Sequence, residues 1–281
     1  MIPQKLPDMK LHSGFMAAML LFATACTLQK NIEINLPPYE SKLVVECYLE
    51  PGKPYRLVLL ETVPYNATTT LPIINNALVI VTHNGIADTL KNTFEADSSS
   101  NKLFNYTNPN TIPADYDSDF SLYVKDSKGR IATATTKLLR AVDIDSVKLN
   151  FGTTPATDTI ASVLTYFSDN PAATNFYRFI INYDGVTGYT ERDFVLSDNF
   201  ASNGKIVVGT RQRFLVNETI CISLYHIDKA HYDYAQSAVS AAQAAASPFG
   251  QPGNITSNVK GGGFGIFTSL AYSRKTLQIR R

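Results

Sequence analysis

The chain is predicted to be mainly β: an immunoglobulin-like or transthyretin-like sandwich over 41–142, then a second antiparallel β domain over 143–281 that carries one packed helix at about 228–246. Three observations predict it. Short runs of alternating apolar residues recur along the chain, and turn pairs rich in Gly, Asn, Asp and Pro separate them at sandwich spacing. Only one stretch switches to helical period. Composition agrees: 44% of the 281 residues are hydrophobic, 17% are charged, and 15 Phe and 15 Tyr supply bulk for a core, which describes a folded chain rather than a disordered one.

Taken in order, Lys42–Glu50 alternates cleanly, Pro51-Gly52-Lys53-Pro54 turns the chain, and Tyr55–Glu61 returns it as a second strand. Ala77–His83 precedes Asn84-Gly85, the favoured pair for a two-residue hairpin whose central residues need positive φ, and Ile86–Leu90 follows. Phe120, Leu122 and Val124 share one strand face, Lys128-Gly129 turns, and Ile131–Leu138 runs out through alternating Ala and Thr. A boundary is placed near Asp143. Beyond it strands are expected at Val147–Phe151, Thr159–Phe167, Asn175–Tyr183, Gly188–Leu196, Lys205–Val216 and Thr219–His226, with Asp184-Gly185 as a turn. Asp228 then caps a helix with the stripe Ala230, Tyr234, Ala238, Ala241 and Ala245, and Ser247-Pro248 stops it. Gly261-Gly262-Gly263-Phe264-Gly265 lacks the remaining elements of a nucleotide motif, so it reads as a bulge or hinge where another backbone comes close, opening a strand Phe264–Tyr272.

The first 25 residues read as an address. Lys5 and Lys10 precede an uncharged run, Phe15–Phe22, too short to span a bilayer, and Ala23-Thr24-Ala25-Cys26 places small residues before a cysteine. Residues 1–25 are therefore expected to be a lipoprotein signal peptide and Cys26 the lipidated residue at the head of a tether over 26–40, stiffened by Pro37-Pro38. A simple secretory signal cut near Ala25, or a buried N-terminal helix, are the alternatives. Acyl chains on Cys26 would anchor firmly, since each buried methylene contributes about 0.8 kcal/mol. The whole chain has formal charge +1; removal of 1–25 takes Lys5, Lys10 and Asp8 with it and leaves zero. A neutral chain carries no electrostatic footprint for nucleic acid, and charge alone would not hold it to an anionic membrane.

Candidate chemistry is sparse. His226 and His231 with Asp228 and Asp233 form the only imidazole–carboxylate cluster, but the histidines lack the i, i+4 spacing of two ligands on one helix face. Asp115, Asp117, Asp119 and Asp126 copy part of a calcium-loop spacing, yet Phe120 stands where the loop needs Gly. No G-x-S-x-G elbow or Cys/His pairing is seen, while paired carboxylates for sugar hydrolysis remain open because their pairing is spatial. Cys47 falls on the apolar face of its strand, so packing is expected, with a Cys47–Cys221 bridge as the alternative. Four glycan sequons begin at Asn66, Asn105, Asn217 and Asn254. No metal, cofactor or catalytic residue is assigned.

Three segments together carry a family resemblance: the Cys26 lipobox with Leu43–Tyr55 close behind, Asn76–Ile80 before the Asn84-Gly85 turn, and the ending Asn254–Phe267. The chain resembles Bacteroidetes lipoproteins catalogued as domain of unknown function 4249, over essentially all of its length after the signal. The resemblance implies an outer-membrane lipoprotein whose relatives are typically encoded beside TonB-dependent transporters. It supplies no catalytic residue. The expected function is an outer-membrane-anchored binding or accessory protein, partner of a TonB-dependent nutrient transporter; a surface adhesin or stalk-type module, and a surface hydrolase, are the rival readings.

Overall fold

Alternation decides the first strands. In a computed structural model of the chain, which describes residues 39–64, 71–98, 100, 102–246 and 253–281, β1 (Leu43–Leu49) and β2 (Pro54–Glu61) turn every second side chain inward. Leu43, Val45, Cys47 and Leu49 are buried on β1, and Tyr55, Leu57 and Leu59 on β2. The Asn84-Gly85 hairpin forms with both central residues at positive φ, 48° and 77°, between β3 (Ala77–His83) and β4 (Ile86–Asp97). Asp97 lies well past the expected strand end at Leu90, because β4 bulges between Asn92 and Glu95 and then continues along β5 (Lys102–Thr111), which was not read as a strand. After β6 (Asp119–Asp126) and β7 (Ile131–Lys137), the chain passes to a second group of strands.

These are β8 (Ile144–Phe151), β9 (Ile160–Ser168), β10 (Phe176–Tyr183), β11 (Thr190–Ser197), β12 (Lys205–Gly209), β13 (Phe214–Leu215) and β14 (Thr219–Ile227). The expected strand Lys205–Val216 is thus two strands with a break, both paired to β9. Helix α1 (Lys229–Ala245) begins at the expected cap: Asp228 accepts the His231 backbone N–H at 2.6 Å. Its expected stop at Ser247-Pro248 lies outside the described residues. β15 (Lys260–Gly261), β16 (Gly263–Ser269) and β17 (Ala271–Gln278) end the chain, so the expected Phe264–Tyr272 strand is divided at Leu270, whose N–H turns away to Leu49 O at 2.7 Å.

Nine strands form one sheet in the order β15-β7-β6-β3-β4-β5-β2-β1-β16. Its two end strands are neighbours in sequence. β15 lies on β7 and β16 lies parallel on β1, so the sheet curls into a nearly closed sandwich sealed at Gly262. Gly265 shows why glycine is needed: its φ is +130° and a Cβ would sit 1.9 Å from the Val45 carbonyl oxygen. The outer edge of β16 is capped by side chains. Asn258 donates to Phe267 O at 2.7 Å and accepts the Phe267 N–H at 3.0 Å, while Ser257 Oγ accepts the Gly265 N–H at 2.9 Å. Residues 257–267 therefore close this sheet.

Ser41–Arg281 is one compact unit with two hydrophobic cores. The first lies inside the curled sheet and includes Val259 and Phe267, so the chain from Val259 to Ser269 returns to the first sheet, before β17 rejoins the second group. The second lies between the sheet β11-β10-β14-β17 and the β9 sheet, with Phe167, Tyr177, Phe179 and Phe214 fully or almost fully buried. At about 1.5–3 kcal/mol for each large apolar side chain buried, either core contributes substantially to stability. Among the described residues no helix is long and apolar enough to cross a membrane.

Candidate functional site

Cys26, the expected lipidation residue, and the sequon at Asn66 lie outside the described residues. The other singled-out groups can be placed. Cys47 and Cys221 are both buried and free, each within a different sheet, so the alternative of a bridge is not realised. Burial pushes the Cys47 thiol up to about 12, which keeps it an inert packing group. Asn105 is buried and its carboxamide is used three times by the backbone, which removes that sequon from the folded surface.

The acidic cluster disperses. Asp115 forms a turn, accepting the N–H groups of Asp117 at 3.0 Å and Ser118 at 3.3 Å, and these bonds, the Asp117 N–H first, hold its carboxyl down at about 2. Its other oxygen meets His83 Nε2 at 3.1 Å, and the His83 ring stacks on Phe120 at 4.0 Å. Asp126 is taken up by Arg130.

The histidine cluster disperses too, into the seam where α1 meets both halves. His226 Nδ1 contacts Arg140 O at 2.8 Å, and Asp233 pairs with Lys229. Asp228, besides capping α1, accepts from Thr268 Oγ1 at 2.8 Å and Thr136 Oγ1 at 3.3 Å, tying the helix start to the first sheet. His231 is the residue α1 buries, rather than the expected Ala230, and it sits 5.6 Å from the Tyr48 ring. Burial first, then the nearby Arg178 and Lys102 charges, push its pKa down to about 3, so it is a neutral packing ring at ordinary pH. Burial also raises the Tyr48 phenol, with Glu46 adding to it. Among the described residues no three His, Cys, Asp or Glu are placed to hold a metal ion.

The feature that sequence reasoning missed is a groove of about 300 Å³ on the outer face of the first sheet. β2 pairs with β5 from Pro54 to Leu57, and then the two part. Leu60 bridges Ile73 instead, with Glu61 N–H donating to Pro72 O at 2.9 Å. Asn105 fills the fork, accepting Leu59 N–H at 2.7 Å and donating to Leu59 O and Ile74 O at 2.9 and 3.1 Å. Val58, Leu60 and Ile73 line one bank and Leu103 and Phe94 the other. Leu71, Phe94 and Leu103 are 63%, 52% and 46% exposed at its rim. No local pattern could reveal it, because its residues come from five separate segments.

Charged side chains at and near the groove form ion pairs. Lys102 pairs with Glu46 and lies 4.8 Å over the Tyr48 ring; Arg56 meets Glu95 and Asp97, each at 3.3 Å. The arrangement is a mostly apolar, open trough beside a strand edge, with the Lys102–Glu46 pair in its lining.

Fold and surface together define a two-core β protein whose C-terminal glycine strand closes its N-terminal sheet. The chain belongs to the family described as Domain of unknown function (DUF4249), which it matches over residues 29–276. No curated protein matches it significantly.

Proposed function

We propose that this chain is a non-enzymatic binding lipoprotein, anchored in the outer membrane through Cys26 and accessory to a TonB-dependent nutrient transporter. The observation that carries the binding role is the exposed apolar groove with its internally paired charges. Supporting it, the imidazoles and carboxylates singled out as candidate chemistry are committed to caps, turns and packing. The anchor is supported by the signal-like segment ending at Ala23-Thr24-Ala25-Cys26 and by zero formal charge in the chain that would follow it.

Replacing Cys26 by Ala in cells is expected to move the protein from the membrane fraction to the soluble fraction and to abolish acyl labelling. Membrane retention of the unlabelled variant would overturn the anchor. Affinity purification of the unaltered chain from native outer membranes in mild detergent is expected to recover a transporter barrel; recovery of none would overturn the partner.

A further inference from the structure

Helix α1 is held to the rest of the fold by few buried groups. It packs against β10, β11 and β16, yet of its 17 residues His231 is the one whose side chain is buried, at 2% exposure. An element docked through so little buried apolar surface opens locally at lower cost than the cores around it. The other ties are polar or partial: Asp228 to Thr268 and Thr136, the Tyr234 hydroxyl to Glu46 Oε1 at 3.5 Å, and the Tyr232 ring on Phe176 at 4.8 Å. The buried anchor is itself titratable. Its Nδ1 is enclosed and has no hydrogen-bond partner among the described residues. The titratable and charged groups around it are Glu46 and Tyr48 of β1, Lys102 of β5, Arg178 of β10 and Asp193 of β11; at the start of α1 they are Asp228, Lys229, Tyr232, Asp233 and Tyr234, and β16 carries none. Arg178 holds Asp193 through two hydrogen bonds at 2.8 and 2.6 Å, and Lys102 holds Glu46, so both of these carboxylates are already engaged by cations.

We infer that α1 is an acid-sensitive latch, docked into the seam by neutral His231 and released from it when that imidazole takes up a proton. The two events are linked because a charged ring is costly in a closed seat that offers Nδ1 no acceptor, whereas a released ring has its charge solvated by water. In the docked form burial first, then the Arg178 and Lys102 charges, hold the ring down at about 3, while a free imidazole titrates near 6.5. The released form therefore binds the proton first as pH falls from neutral, and the ratio of released to docked helix rises about tenfold between pH 7.5 and 5.5. Carboxylates ordinarily titrate near 4, below this interval. Release also parts Tyr234 from Glu46, which lines the groove, so the latch reaches the surface assigned to binding.

The latch stands apart from the anchor and from any partner, and its test involves neither. The full chain in mild detergent is followed by amide hydrogen exchange from pH 7.5 to 5.5, with each rate divided by the intrinsic rate at that pH. Protection over residues 232–239 is expected to fall about tenfold, while the amides of β1, β10 and β14 keep theirs. His231→Phe fills the seat with a ring that does not titrate and is expected to remove the fall; His231→Gln makes the same comparison if the Phe variant does not fold. His226→Gln, at the end of β14, is expected to retain it. Constant protection of α1 in the unaltered chain, an equal fall in a folded His231 variant, or a fall abolished by His226→Gln would each overturn the latch. So would an equal loss of protection across β1, β10 and β14, which would make His231 a contributor to global stability rather than the anchor of one helix.

Discussion

Gly265→Val is expected to prevent the first sheet from closing, with loss of more than about 4 kcal/mol of stability or failure to accumulate as soluble protein. The reason is local and backbone in origin. In the parallel β1–β16 pair Val45 lies opposite Gly265, and a Cβ there would stand 1.9 Å from Val45 O and 3.0 Å from Val45 N. No rotamer relieves a clash made by Cβ, so the strands must part. The φ of +130° adds about 1–3 kcal/mol of strain for a β-branched residue. Parting the strands also frees the Ser257–Gly265 bond and the Asn258–Phe267 pair, and unseats fully buried Ile266 and Phe267. Gly52→Ala is the control. That position has φ +79° and nothing within 4 Å of its would-be Cβ, so its cost is confined to conformational strain of about 1 kcal/mol. Urea unfolding of the three proteins separates the cases, and a Gly265→Val protein as stable as the Gly52→Ala control would show that closure does not depend on this contact.

The same region shows why parts of the fold were legible and others were not. Where one face meets the core and the other meets solvent, as in β1, β2, β6 and β7, the pleat writes itself into the sequence as alternation. Asn84-Gly85 and the Asp228 cap were equally readable, because each turn or cap asks for a particular residue type over a few positions. The glycine cluster was readable as a close backbone approach, though not as the return of Val259 and Phe267 to the first core, since pairing partners more than 200 residues apart leave no local trace. β5 was hidden for a different reason. Its stretch Phe104-Asn105-Tyr106-Thr107-Asn108-Pro109 looks like a polar turn, yet Asn105 is inside because its carboxamide replaces the missing strand pairing at the fork. With β5 not recognised from its sequence, the groove it helps to form could not be inferred. In the sequence His231 falls in an imidazole–carboxylate cluster; the cap at Asp228 fixes the helix so that the imidazole turns towards Tyr48, and that orientation is tertiary.

The second large effect is expected at Arg130, which ties Ser41, just before β1, to β2 and β6. Its guanidinium donates to Asp126 Oδ2 at 2.8 and 2.6 Å, to Glu61 Oε2 at 3.0 Å, and to Ser41 at its carbonyl and hydroxyl oxygens, 3.0 and 2.7 Å. The side chains of Asp126 and Arg130 are only 2% and 15% exposed. Arg130→Met therefore leaves a carboxylate buried without its counter-charge, and a loss of about 3–5 kcal/mol at neutral pH is expected. Arg130→Lys keeps a charge but not the planar fork that reaches three partners, so it falls between. Acid should erase the difference. Burial alone would raise the Asp126 carboxyl, but the Arg130 hydrogen bonds and charge, with the Lys128 N–H, hold it below its ordinary value; Glu61 is also lowered, chiefly by its bond from Lys128. Carboxyls depressed in the folded state stabilise it above their ordinary pKa near 4, and that contribution is lost as pH falls through the folded values. In the methionine variant Asp126 protonates more readily, which relieves the stranded charge. Urea unfolding at neutral pH and at about pH 3.5 is thus expected to show the gap between wild type and Arg130→Met narrowing in acid, whereas a pH-independent gap would assign the effect to lost packing instead.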